Sequence, residues 1–242
     1  GPESAPQRVT PDPDRRALFV ASHTESPMMT PIGLTDLGQT LALAGFDVDM
    51  IPYGQAVTTQ DLDDADLVFV LPVVDYPSQR GDPSVYDEAW SEAEIRAIEG
   101  YVRGGGLLVL ANSASRLKVA NRLVDDNEDF QSLNALSERF GISYRFGTVY
   151  ETLFWLEKDA HPLGEGVPYQ ELLPGNSVPI RLDQGQVLAW AEGKIVIGLV
   201  DYGDAGGEVL ALADISLLGN DRGMPPSLKV WQNLAQYART RP

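Results

Sequence analysis

Gly104 to Ser115 reads GGGLLVLANSAS, and this stretch decides the fold. Three glycines end a polar helix, an apolar run from Leu107 to Ala111 follows without a break, and a small polar cluster closes it. Helix stop, buried central strand and polar loop at the strand's carboxyl end are the parts of an α/β unit. A phosphate loop has the opposite order, strand first and glycines opening a helix, so Gly104 to Gly106 act as a helix C-cap instead.

Working outward, Ser91 and Glu94 in SEAE form a capping box that opens the preceding helix, with Ile95, Ile98 and Val102 along one face. Ala17 to Ala21 (ALFVA) predicts a first buried strand. Thr30 as N-cap and Pro31 at the first helical position start a helix that runs to about Ala44, where Gly45 stops it. Phe46 to Ile51 alternates as a second strand, Thr58 to Asp66 is a capped acidic turn of helix, and Leu67 to Val74 is a third, strongly apolar strand. Right-handed crossovers place the first strand between the second and the third. Residues 75 to 90 form a long polar loop, and 114 to 130 a second irregular stretch that covers a sheet edge or acts as a lid.

Beyond it, Phe130 to Phe140 predicts an amphipathic helix burying Leu133, Leu136 and Phe140, stopped by Gly141, and Ile142 to Phe146 a further strand. From Tyr150 the texture turns to β. Strands at 178–182, 186–191, 194–202 and 207–214 are separated by hairpin turns at Asp183-Gln184-Gly185, Glu192-Gly193 and Gly203 to Gly206, an antiparallel extension of the sheet. Pro225-Pro226 starts a closing helix with Leu228, Trp231, Leu234, Ala235 and Ala238 on one face. The expected architecture is a flavodoxin-like three-layer α/β sandwich with a mostly parallel central sheet, as one domain over residues 15–242.

Composition narrows the partners. Eighteen basic against 35 acidic residues give a formal charge of −17, which repels phosphate backbones and anionic lipid headgroups, so nucleic acid is excluded as an expected partner. The chain has no cysteine, hence no disulfide, thiolate metal site or thiol nucleophile. No apolar run approaches the ~18 residues that cross a bilayer. Gly1-Pro2 looks like the remnant of a protease site and residues 3–14 (ESAPQRVTPDPD) like a linker, so a membrane connection is expected only through an anchor removed from that end, and the compartment is expected to be extracytoplasmic, otherwise cytoplasmic.

The segments LTDLGQTLALAGFDVDMI (34–51), DLDDADLVFVLPV (61–73), SEAEIRAIEGYVRGGGLLVLAN (91–112), HPLGEGV (161–167) and GGEVLALADISLLGN (206–220) resemble the class I glutamine-amidotransferase-like superfamily. More narrowly, the chain resembles its non-catalytic branch, found in gliding-motility ABC-transporter accessory proteins, intraflagellar transport proteins and an oligosaccharyltransferase subunit. In catalytic members a cysteine between glycines sits on the elbow after the strand at 107–111, and a histidine follows a later strand. Here the elbow reads Ala111-Asn112-Ser113-Ala114-Ser115 and the later strand ends Ala213-Asp214-Ile215-Ser216, so neither half of the catalytic pair is present. The resemblance therefore implies the fold without amidotransferase chemistry.

The carboxyl-end crevice of such a sheet is lined by Ser22, His23, Thr24, Asp75, Tyr76, Asn112, Ser113, Asp214, Ser216 and Asn220. Hydroxyls, amides and carboxylates without clustered cations suit a neutral polyhydroxylated ligand, or else only satisfy loop backbone. Two functional classes follow. One is a non-enzymatic binding or scaffold domain of an envelope-associated protein, taking a partner protein or glycan, of which a small-sugar binding module is a variant. The other is a serine hydrolase using Ser113 with His23 and Asp75 or Asp214, against which stands the reading of Ser113 and Asn112 as turn caps and of His23 as a surface residue. His161, before Pro162, is structural in this reading. No His-rich spacing suggests zinc, and the acidic runs at Asp201, Asp204 and Glu208 and at Asp125 to Asp129 miss the calcium-loop pattern, so no metal or cofactor is expected.

Overall fold

A computed structural model describes residues 15–24, 31–73, 90–113, 117–119, 122–124, 132–145, 147, 149–151, 153–156, 161–167, 169–171, 177–219 and 225–241. In chain order the elements are β1 (Arg16–Val20), α1 (Pro31–Leu43), β2 (Asp47–Ile51), α2 (Thr59–Leu62), β3 (Leu67–Val70), α3 (Glu92–Arg103), β4 (Leu107–Ala111), β5 (Leu117–Val119), β6 (Arg122–Val124) and α4 (Asn134–Ser137). They continue with β7 (Ile142–Tyr144), β8 (Leu153–Phe154), β9 (Gln170–Glu171), β10 (Ile180–Leu182), β11 (Gln186–Ala191), β12 (Lys194–Tyr202), β13 (Gly207–Leu212) and α5 (Pro225–Thr240).

The protein is α/β, built on a mixed nine-stranded sheet with the order β2-β1-β3-β4-β13-β12-β10-β7 and β11 on β12. The strands β2, β1, β3, β4 and β13 are parallel, and the pairs beyond β13 are antiparallel. β1 lies between β2 and β3, where right-handed crossovers put it. The inner strands are continuous apolar runs because both of their faces are covered: every residue of β3 and β4 is buried. The rings of Phe19 and Phe69 stack with centroids 4.5 Å apart, joining β1 to β3. α1 packs against α5, and α2 against α3.

The cap expected at Thr58 and the capping box expected at Ser91 both form, the former also as a capping box with Asp61. The glycines after α3 act as the sequence predicts. Gly105 has φ +107, and a Cβ on Gly106 would stand 2.4 Å from the Tyr101 ring, so the turn into β4 needs both.

Three expectations are corrected. The helix predicted over 130–140 is short: α4 runs into a single 3-10 turn over Glu138–Phe140, which Gly141 ends at φ +72. The Asn134 side chain bonds both the N–H and the C=O of Tyr144, tying α4 to β7, while Leu133, Leu136 and Phe140 are buried as expected. The turn at Asp183 to Gly185 does not close a hairpin. β10 meets β12 at the single pair Ile180–Ile195 and otherwise pairs with β7, and β11 takes the other edge of β12. Leu182 presses on Gly198, where a Cβ would lie 2.8 Å from Cδ1, so the chain crosses β12 there and the sheet curls. Leu228 is 44% exposed rather than part of the buried face of α5, which is carried by Trp231, Leu234, Ala235 and Ala238.

The turn Glu192-Gly193 does close the β11–β12 hairpin, with φ +51 and +69 as a two-residue primed turn requires. Within the stretch 114–130 the described residues form the small antiparallel pair β5–β6. The expected N-cap Thr30 and the loop 75–89 lie outside the described residues.

Candidate functional site

The carboxyl ends of β1, β4 and β13 deliver most of the candidate residues to one end of the parallel sheet. Ser22, His23 and Thr24 follow β1, Asn112 and Ser113 follow β4, and Asp214 and Ser216 follow β13. Asp75, Tyr76 and Asn220 lie outside the described residues. Thr24 donates from Oγ1 to the Pro72 carbonyl at 2.7 Å, which ties the turn after β1 to the chain leaving β3. Asn112 N–H donates to Leu212 O, and Ile215 N–H to Asn112 O at 2.8 Å, so the loops after β4 and β13 are stitched together by backbone.

The two buried polar residues in those loops have local duties. Asn112 Oδ1 accepts from the Ser113 amide at 2.8 Å. Asp214 caps the 3-10 turn Ile215–Leu217 by accepting the Ser216 amide at 2.8 Å, and its other oxygen accepts from the Ser177 hydroxyl at 3.2 Å. A buried carboxylate with two donors is a strong fixed acceptor of its loop.

His23 is not a surface residue. Its Nε2 lies 3.1 Å from Glu94 Oε1 and 3.3 Å from Oε2, its Nδ1 is shielded from solvent, and its ring sits 4.3 Å from that of Trp90 at a tilt of 56°. Glu94 is 3% exposed, and besides His23 it accepts from the Ser91 amide, the Ser91 hydroxyl and the Val57 amide. Burial pushes its carboxyl up, but the Ser91 amide and hydroxyl and then His23 outweigh this and hold it below the usual carboxylate value. The carboxylate beside His23 is thus Glu94, which the sequence reading treated only as half of a capping box. The available signal was Trp90 directly before that box, an aromatic able to bury the cap.

At this end of the sheet three buried polar atoms have no hydrogen-bond partner among the described residues: Ser22 Oγ, Trp90 Nε1 and Ser216 Oγ. Leaving such a group unsatisfied costs about 1–3 kcal/mol, and that cost is characteristic of places where something else binds. At the opposite, amino end of the strands a cavity of about 440 Å³ is lined by Arg15, Asp66, Tyr101, Gly104 to Gly106 and Arg241. Its cations are engaged within the fold, Arg15 with Asp66 at 3.5 Å and Arg241 with Glu208 at 3.6 Å, and its Tyr101 hydroxyl donates to Leu107 O. Of the buried groups without partners among the described residues, Ser22, Trp90 and Ser216 gather at the carboxyl end while His161 Nε2 stands apart, so the candidate site is placed where three converge. Among the described residues no group of three or more His, Asp or Glu stands where it could hold a metal ion, and no helix is long and apolar enough to cross a membrane.

His161 lies outside this site. Its Nδ1 accepts the Leu163 amide at 3.2 Å and its ring meets Tyr237 edge-on at 4.6 Å.

This is an α/β fold that solved structures of low sequence identity share, a ThuA-like protein among them. A putative ThuA-like protein from Bacteroides uniformis matches 97% of this chain and 95% of its own at 11% identity and TM-score 0.54. The mmIFT52 N-terminal domain matches 94% of this chain and 98% of its own at 12% identity and TM-score 0.65. A cytoplasmic protein from Salmonella typhimurium matches 92% and 98%, at 16% identity and TM-score 0.59. At such identities the likeness is one of fold. No family model and no curated protein matches the chain.

Proposed function

We propose that this protein is a non-enzymatic binding domain of the non-catalytic amidotransferase-like branch, a three-layer sandwich that takes a neutral, hydroxyl-rich ligand at the carboxyl end of its sheet. The observation that carries the reading is the trio of buried, unpartnered polar atoms on Ser22, Trp90 and Ser216 at that end. Hydroxyl groups, which both donate and accept, can satisfy a serine oxygen and an indole N–H alike. The loop after β4 offers no cysteine, and the buried polar residues around it, Asn112 and Asp214, serve their own loops. A glycan is the ligand this chemistry favours, and a partner protein is the other occupant of the same crevice. A further reading is that the domain belongs to an envelope-associated protein. Finding the full-length product in the soluble cytoplasmic fraction overturns that second reading alone.

A thermal-shift screen against glycans tests the main proposal. Stabilisation that saturates with ligand concentration is expected, and flat melting curves across a broad panel contradict glycan capture. The competing hydrolase has one observation in its favour, since a buried histidine–carboxylate pair is the basic half of a serine triad. It requires Ser113 to react with a fluorophosphonate probe and Ser113→Ala to abolish the label. An unlabelled folded protein is the result expected here.

A further inference from the structure

We propose that Trp155 and Trp190 form a flat stacking platform for the pyranose rings of a neutral polysaccharide, as the outer part of the binding surface inferred above, a reading on which this one rests. The antiparallel bridge between Leu156 and Ala189 sets Trp155 across from Trp190 on neighbouring chain segments. Their sequence neighbours Phe154, Leu156, Ala189 and Ala191 are all buried, so both indoles stand on the outward side, 61% and 49% exposed. Two adjacent exposed tryptophans are unusual on a surface that meets only water, because each carries a large apolar area and a single polar N–H.

Side-chain to backbone bonds also join the two segments. Glu192 accepts the Tyr150 amide at 2.8 Å and the Glu151 amide at 2.5 Å, and its own amide donates to Glu151 at 2.9 Å. These reciprocal bonds join the segment leading to Trp155 to the hairpin carrying Trp190. The platform also lies toward the same end of the strands as the crevice. β11 is antiparallel to β12, and β12 to β13, so Trp190, near the end of β11, lies at the end where β13 delivers Asp214. Two strand spacings, about 10 Å, separate the line of β11 from that of β13.

The ligand class follows from shape and charge. A pair of exposed indoles on adjacent segments suits the C–H face of a sugar ring. The nearby carboxylates of Glu151 and Glu192 are occupied by backbone amides, so the platform is not specialised for a cation. The charge of −17 disfavours acidic polymers.

The test is affinity electrophoresis of the whole chain through gels containing a soluble β-glucan, a mannan or a galactan, with Trp155→Ala, Trp190→Ala and the double variant alongside. At least one polysaccharide is expected to retard the protein, each single variant to weaken that binding about tenfold or more, and the double variant to run as in a blank gel, with melting temperatures nearly unchanged. Retardation should persist at high salt. Tryptophan variants that bind as the parent does overturn the platform, as does binding confined to basic proteins and lost in salt. Ser113→Trp, which adds bulk in the loop after β4, separates the two readings. If it alone loses binding, the platform falls and the crevice stands. If no neutral polysaccharide retards the parent chain, both fall for glycans.

Discussion

His23 Nε2 and Glu94 Oε1 meet 3.1 Å apart although 71 positions separate them in the chain. Through this contact the first turn of α3 is fastened to the loop after β1, so the carboxylate that caps a helix also fixes one wall of the candidate site. Glu94 is held below its ordinary value of 4.5 despite burial that opposes this. A depressed carboxyl contributes stability that is present above the unfolded value and is lost as pH falls through the folded one. The protein should therefore lose stability below about pH 4.5, and Glu94→Gln, which cannot ionise, should show a shallower acid limb. At neutral pH the same variant should be less stable by about 1–3 kcal/mol, since it replaces a charged acceptor of several buried donors. Urea melts across the acid range check both, and parallel curves for the two proteins contradict the role given to Glu94.

His161 predicts a second pH dependence of known sign. Its pKa is lowered from 6.5 by burial, with Glu208 pulling the other way, and its Nδ1 must stay unprotonated to cap Leu163. The unfolded chain thus binds the proton more readily than the native one. Stability from this residue is fully present above about pH 6.5 and declines as pH falls below it. His161→Asn keeps an acceptor for the Leu163 amide and removes the titration, so its melting temperature should vary less between about pH 5 and 7.

Gly207, the first residue of β13, touches the end of α3 so closely that a Cβ would stand 1.8 Å from Val102 O and 2.8 Å from Tyr202 O. Both obstacles are backbone and cannot swing aside. Gly207→Ala should cost about 3 kcal/mol or more, at the upper end of overpacking penalties. Gly206→Ala next to it meets open space at φ +78 and should cost only the ~1–2 kcal/mol of a left-handed residue. Denaturant midpoints of the two variants give the comparison, and equal losses contradict it.

The Tyr144 hydroxyl, buried beneath the curled end of the sheet, donates to Leu212 O at 3.2 Å and reaches Leu110 O at 3.4 Å. Tyr144→Phe removes this donor without changing the packing and should destabilise the protein by about 1 kcal/mol. A loss several times larger would mean that the ring itself had been displaced.

The parallel half of the fold was legible because its signals are local. Apolar runs such as Leu67 to Val70 and caps such as Ser91 and Gly105 each announce an element within a few residues, and handedness orders the strands. The curled half was less legible. Nothing near Asp183-Gln184-Gly185 distinguishes a hairpin turn from a crossing; the difference lies in Gly198, far along the chain, which leaves room for Leu182. The site followed the same division. Strand ends named Ser22, His23, Asn112, Ser113 and Asp214, but the partner of His23 came from a helix start read as purely local. The exposed pair Trp155 and Trp190 is invisible in sequence, since it depends on the register of Leu156 against Ala189.

Isothermal titration calorimetry of the whole chain with soluble neutral oligosaccharides tests capture without catalysis in one experiment. A saturable heat that returns to baseline after each injection is the expected result, because a binding domain takes up its ligand and stops. A steady heat that continues until the sugar is consumed would reveal turnover, and the absence of any heat with every sugar in the panel would remove the ligand class; either contradicts the binding domain proposed for this protein.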